Sequence, residues 1–203
     1  MIIKTKKELK FVICADEIMN GWRKGFFNAL KTFFLPNNIR AFLKEMRMVS
    51  YYKHQKGLLN KLIYSFHYTK YRKLGLKLGF SIGYDTLGYG VVIPHYGTIV
   101  VGGSNRIGNY AVLHTSTCIS DNGKIIGDGL YLSTGAKITS KIKLGNNISI
   151  GANSLVNKNC EQDNVLLAGM PAKIIKQEET WYIRDSFDKK VKTVEELRKL
   201  YAD

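Results

Sequence analysis

From Ile126 to Val156 a large aliphatic residue recurs every six positions: Ile126, Leu132, Ile138, Leu144, Ile150 and Val156. A period of six fits neither a 3.6-residue helix nor the two-residue alternation of a strand. It suits a chain that turns a corner every six residues, so that three flats close one triangular coil of about 18 residues. Upstream, Ile82, Leu87, Ile93, Ile99, Ile107, Leu113 and Ile119 continue the series, and the clearest units are IGNYAV, LHTSTC, IGDGLY, LSTGAK, ITSKIK, LGNNIS and IGANSL. Each aliphatic points inward and stacks on its counterpart one coil later. Gly, Asn and Asp tolerate the corners, and neighbouring coils bond as parallel strands roughly 4.8 Å apart. The pattern predicts a mainly β protein, a parallel β-helix over residues 80–176. Two steps are longer: eight residues from Ile99 to Ile107, including Gly102-Gly103-Ser104, and seven from Ile119 to Ile126, including Asp121-Asn122-Gly123. Extra residues in a solenoid bulge outward as loops, where functional side chains tend to gather.

Before residue 80 the character differs. Phe26, Phe27, Leu30, Phe33 and Phe34 recur at helical spacing. Pro36-Asn37-Asn38 interrupts that helix, and further helices are expected over Ile39 to Ser50 and near Leu58 to Leu76. Residues 1–79 form the expected helical module. Of the chain's formal net charge of +15, nearly all lies here: residues 1–80 hold 17 Lys and Arg against 4 Asp and Glu. Such a module attracts anions, whether an acidic glycan or the anionic face of a membrane. Tyr and Phe interleave with Lys and Arg, but no nucleic-acid motif accompanies them, and a helix-packing face with snorkelling stems is the expected reading. After residue 176 a helical tail over 177–203 is expected, with Thr193 to Glu196 as a capping box and the tail lying over the last open coil.

Hydrophobic residues make up 45% of the 203, enough for a folded core and against wholesale disorder. No apolar run approaches a membrane span, and the charged start lacks the apolar stretch of a signal peptide. Cys14, Cys118 and Cys160 are odd in number and widely spaced. They read as reduced thiols of a cytoplasmic protein, placed in the cytoplasm or at the inner face of its membrane, and not as a zinc site.

The segment LGYGVVIPHYGTIVVGGSNRI, Leu87 to Ile107, together with AGMPAKIIK, Ala168 to Lys176, and Val156-Asn157-Lys158, resembles the hexapeptide-repeat acyltransferases, in their serine-acetyltransferase-like branch. The resemblance covers residues 80–176. It implies left-handed coils, a homotrimer with active sites in the grooves between copies, and acetyl-coenzyme A as co-substrate lying along the coils, without metal. It implies His95 as general base, with His114 beside it as a second catalytic candidate. A positioned imidazole takes the proton of a hydroxyl as it attacks the thioester carbonyl, then protonates the leaving thiolate. Counting from Ile93, Leu113, Leu132 and Ile150, residues His95, Thr115, Thr134 and Ala152 should share one column.

The family's carboxylate, which orients the histidine, would stand just before the first repeat aliphatic, where this chain has Ser81. Asp85 is the candidate substitute, and Asp121, in the other irregular loop, is a second. For the acyl donor, the resemblance gives Thr134 and Ala152 to the pantetheine arm and Lys158, Lys173 and Lys176 to the phosphates, with Tyr131 walling the thioester pocket. Tyr96, Thr115 and Asp121 are expected to face the acceptor. The extended loop that anchors an amino-acid carboxylate is replaced by SDNGKII, whose one cation is Lys124. That favours a saccharide hydroxyl, in a surface polysaccharide or its precursor. Serine or another small molecule is the alternative, and a non-catalytic scaffold a third. A zinc-dependent carbonic anhydrase of this fold needs three histidines per metal, and only His95 and His114 lie in the repeat region.

Overall fold

The computed structural model describes residues 1–22 and 37–202. Helices α1 (Lys6–Met19), α2 (Asn38–Lys53) and α3 (Leu58–Leu78) precede a solenoid of short strands β1 to β13, and α4 (Trp181–Arg184) and α5 (Asp188–Ala202) follow it. The Phe26 to Phe34 helix expected from the sequence lies outside the described residues. The starts of the first two helices have a local cause. Thr5 caps α1 and closes a capping box with Glu8. Asn37, in the segment expected to break the chain, caps α2 by accepting from the Arg40 amide at 2.9 Å.

The solenoid has three faces. The first carries β1 (Phe80–Ile82), β2 (Ile99–Val101), β5 (Thr117–Ile119), β8 (Lys137–Ile138) and β11 (Leu155–Val156). The second carries β3 (Arg106–Ile107), β6 (Ile125–Ile126) and β9 (Lys143–Leu144). The third carries β4 (Val112–Leu113), β7 (Tyr131–Leu132), β10 (Ile148–Ile150) and β12 (Val165–Gly169), closed by β13 (Ala172–Gln177), which runs antiparallel to β12. All other pairings are parallel. This is the expected β-helix with N-terminal helices and a C-terminal helix, consistent with left-handed coiling. Every aliphatic of the predicted series is buried.

The small residue after each aliphatic has a direct explanation. A Cβ on Gly108 would stand 2.2 Å from Asp128 Oδ1. That carboxylate belongs to a ladder along one corner: the Tyr89 amide donates to Asn109, the Asn109 amide to Asp128, the Asp128 amide to Asn146 and the Asn146 amide to Asp163, at 2.6 to 3.1 Å. Each side chain satisfies a backbone donor of the coil before it, which a corner otherwise leaves unpaired.

The register corrects one expectation. Ile82 pairs with Val101, and Val101 with Ile119, so Val101 and not Ile99 holds the repeat position. The step from Val101 to Ile107 is then a regular six. The two extra residues fall between Ile93 and Val101, in the segment that carries His95. Both Ile99 and Val101 are buried, so hydrophobicity alone could not tell them apart.

The tail also differs from expectation. The last helix starts at Asp188, five residues before Thr193, whose hydroxyl instead donates within the helix to Lys189 O at 2.9 Å. Val191, Val194, Leu197 and Tyr201, spaced by three and four, form its packing stripe. The tail does not close the last coil. It returns over the third face to the first coils, where Tyr89 donates to Glu195 at 2.9 Å, Tyr110 donates to the same carboxylate, and Lys190 donates to Met19 O at 3.1 Å. Burial and this carboxylate together push Tyr89 up to about 12. At the last coil β13 pairs alongside β12 as the edge strand of the third face.

The helical module is fixed to the first coil by a buried ion pair. Arg47 donates to Asp16 at 2.9 Å and to the carbonyls of Leu87 and Gly88, and Asp16 accepts from the Val91 amide at 3.0 Å. Burial nevertheless raises the Asp16 carboxyl above its ordinary range.

Candidate active site

His95 sits on the two-residue bulge at the corner where the third face turns into the first. The bulge is pinned from both sides. From α1, Asn20 donates to Val91 O at 2.7 Å and accepts from the Ile93 amide at 3.4 Å. From α3, the Leu78 carbonyl accepts from the Gly97 amide at 2.9 Å, and the Gly79 carbonyl from Ile99 at 3.0 Å. Gly79 ends α3 in the left-handed region at φ 78°, and a Cβ there would approach Gly97 to 3.0 Å. The His95 ring is exposed and makes no hydrogen bond or ion pair among the described residues.

The expected column is offset by the bulge. Gly97, not His95, lies over Thr115: a Cβ on Gly97 would be 3.2 Å from Thr115 Cγ2. Below it the column is as expected, with Gly135 donating to Thr115 O at 3.1 Å and Asn153 to Thr134 O at 2.9 Å. Thr134 and Ala152 are exposed on this edge, and Thr115 is half-buried. Tyr96, beside His95, is 75% exposed.

His114 lies close enough to His95 for the charge of one ring to act on the other. Burial first, and the neighbouring His95 second, lower the His114 pKa below its ordinary value. His114 is therefore neutral around pH 7. Its Nε2 is 2.9 Å from the Tyr131 hydroxyl. Burial raises Tyr131 above its usual value, so the phenol keeps its proton beside the imidazole. The Arg184 guanidinium lies 4.5 Å above the Tyr131 ring and is held by Asp185 at 2.9 Å and Glu178 at 3.1 Å. Trp181, 2% exposed, donates to Tyr110 O at 2.9 Å and fixes α4 against the third face. Sequence reasoning assigned the tail no place near the site. The signal was present in Thr180-Trp-Tyr-Ile-Arg184, since a tryptophan rarely belongs to a solvated tail.

The carboxylate candidates stand elsewhere. Asp85 occupies the corner between the first and second faces and is engaged there, by the Ser50 hydroxyl at 2.5 Å and His54 Nε2 at 3.0 Å. It does not orient His95 in this chain. Asp121 lies at the same corner two coils on and accepts from the amide of Ser104 at 2.8 Å and from its hydroxyl. These bonds hold its carboxyl below the ordinary range. The length of the first face, about 10 Å for three residues, separates this corner from Thr115 and Tyr96. Asp121 therefore does not join them within one chain. It lines a cavity of about 490 Å³ between α3 and the first face, with Tyr68, Tyr71, Arg72, Ser81 and Tyr84. Lys124 is buried and turned inward, donating to Ser120 O at 2.6 Å and Ser120 Oγ at 2.9 Å. Its position rules it out as an anchor for a carboxylate.

Lys158 and Lys173 are exposed, the latter opposite Ala168 in the β12–β13 pair. Lys176 is paired with Glu178 at 3.4 Å. His54 and His67 serve packing: His67 meets Glu45 at 2.5 Å and stacks on Tyr52. Among the described residues no group of His, Cys, Asp and Glu could hold a metal.

The solenoid superposes on a serine acetyltransferase solved in complex with CoA, with a TM-score of 0.62 at 20% identity, covering 84% of this chain and 70% of that one. The serine acetyltransferase of Brucella abortus gives a TM-score of 0.64 at 22% identity, covering 85% and 71%. The fold is that of the serine acetyltransferases. In sequence, the chain is 37% identical over 100 residues to the serine acetyltransferase of Buchnera aphidicola. It is 29% identical over 99 residues to that of Staphylococcus aureus. These matches take in 45% of this chain but 36% and 46% of the relatives, so the chain spans less than half the length of the curated serine acetyltransferases it matches. No family model matches it.

Proposed function

We propose that the chain is an acetyl-CoA-dependent O-acetyltransferase of the serine-acetyltransferase type, acting as a homotrimer. The observation that carries the reading is the histidine corner: a bulge pinned by Asn20, Leu78 and Gly79 presents His95 beside a neutral His114. His95 is the general base. Its imidazole takes the acceptor hydroxyl's proton as the oxygen attacks the thioester carbonyl; the C–S bond then breaks and the proton passes to the leaving thiolate. His114, held by Tyr131, orients the acyl group or its acceptor. Thr134 and Ala152, exposed along the same edge, line the path of the donor, with Lys158 and Lys173 toward its phosphates. Asp85 has no part in this scheme, and Lys176 contributes less than a free lysine because Glu178 partly neutralises it.

The matched relatives support serine, or a similarly small hydroxylated molecule, as the acceptor. A second reading, a saccharide hydroxyl, is favoured by one observation: Lys124, the one cation of the SDNGKII loop, is turned inward and cannot anchor an amino-acid carboxylate. Thiol release from acetyl-CoA with L-serine, beside a panel of neutral and acidic oligosaccharides, separates the two. Release with serine, lost in His95→Ala, supports the first. Release with a saccharide alone supports the second. Failure to bind acetyl-CoA overturns both and leaves a scaffold.

A further inference from the structure

Helix α3 turns Tyr71, Gly75 and Leu78 inward. Its opposite face is apolar and open: Leu58, Leu59, Leu62, Phe66 and Leu76 are 75, 70, 62, 59 and 78% exposed. At the rotation of an α-helix these five fall within one sector of about 100°. Lys73 and Lys77 lie in the same sector, Lys61 and Arg72 border one side, and Lys70 borders the other, its ammonium 4.9 Å over the Phe66 ring. The helix contains these five cations and no Asp or Glu.

We propose that this face of α3 rests on an anionic lipid bilayer. Charge and apolarity together select this occupant. A second copy of the same face would set five cations against five. An acidic polymer would neutralise the cations but leave four leucines and a phenylalanine in water. A bilayer with anionic headgroups takes both, the apolar stripe entering the acyl boundary while the lysine stems reach back to the phosphates. The helix lies on the surface and does not span it, since no described helix is long and apolar enough to cross. The inference stands apart from the acyl-transfer reading and needs no catalysis to be tested.

The test is co-sedimentation of the full chain with vesicles of phosphatidylcholine, with and without phosphatidylglycerol. Binding is expected only to the mixed vesicles. K73Q/K77Q should weaken it about 30-fold at low salt, from roughly fivefold per charge. L59S/L62S should weaken it at least tenfold, as expected for about two leucines losing their buried surface. Both variants should keep the wild-type circular dichroism and light-scattering mass. Absence of binding to mixed vesicles overturns the proposal. So does binding that responds to the lysines but not to the leucines, which describes an acidic polymer site. A changed mass in L59S/L62S also overturns it and makes the face a contact between copies.

Discussion

The two corners that flank the first face of the solenoid are built from the same repeat and end up chemically opposite. At one, His95 stands on a bulge with an exposed ring, and His114 is held neutral and bonded to Tyr131. At the other, Asp85 is taken up by His54 and Ser50, and Asp121 by Ser104. The first corner leaves side chains open; the second closes its carboxylates into the scaffold. In a solenoid, residues that share a column meet, whereas residues on successive corners are separated by a face. An acid near a histidine in sequence is therefore no guide to its partner. Asp85 is ten residues from His95 and bonds to a histidine of α2's cap instead.

The sharpest test of this contrast is His95→Ala. Turnover should fall about 10²- to 10⁴-fold with the fold unchanged, since the ring is exposed and makes no hydrogen bond among the described residues. Near-normal thiol release would move the base to His114. Next in size, Trp181→Ala should cost about 3–5 kcal/mol in a denaturant titration. It removes a buried ring whose indole bonds to Tyr110 O and whose helix brings Arg184 over Tyr131. Unchanged stability would mean that the tail is not part of the histidine corner. Asp85→Asn should cost about 1 kcal/mol through the His54 and Ser50 bonds and leave turnover at the wild-type level. A loss of turnover matching His95→Ala would erase the distinction between the corners.

The smallest effect concerns pH. His114 has a folded pKa below its unfolded value of 6.5 because it is buried. The unfolded chain binds the proton first, so stability is complete above pH 6.5 and declines as pH falls through 6.5 toward the folded value. His114→Gln should flatten that decline in urea titrations on either side of pH 6.5. An unchanged slope would show that burial at this corner does not act on the ring.

The fold was legible because its period is local: six-residue spacing fixes which side chains point inward, and stacking follows. The column of Thr115, Thr134 and Ala152 could be counted from Leu113, Leu132 and Ile150. The place of the bulge could not. Ile99 and Val101 are both aliphatic and both buried, and only pairing with Ile82 and Ile119 assigns the repeat position to Val101. The same two-residue shift puts Gly97 over Thr115 and carries His95 out of the column.

The sequence by itself determined the three-faced solenoid and the helical flanks, because each rests on spacing along the chain. Tertiary structure alone decided what those residues touch. It bent the tail back over the third face so that Trp181 and Arg184 reach Tyr131. It closed Asp85 onto His54 and turned Lys124 inward. It left the leucine stripe and Phe66 of α3 facing out, while Tyr71 of the same helix packs inward as expected. Contacts between segments far apart in the chain depend on packing and charge in three dimensions, which a repeat period does not encode.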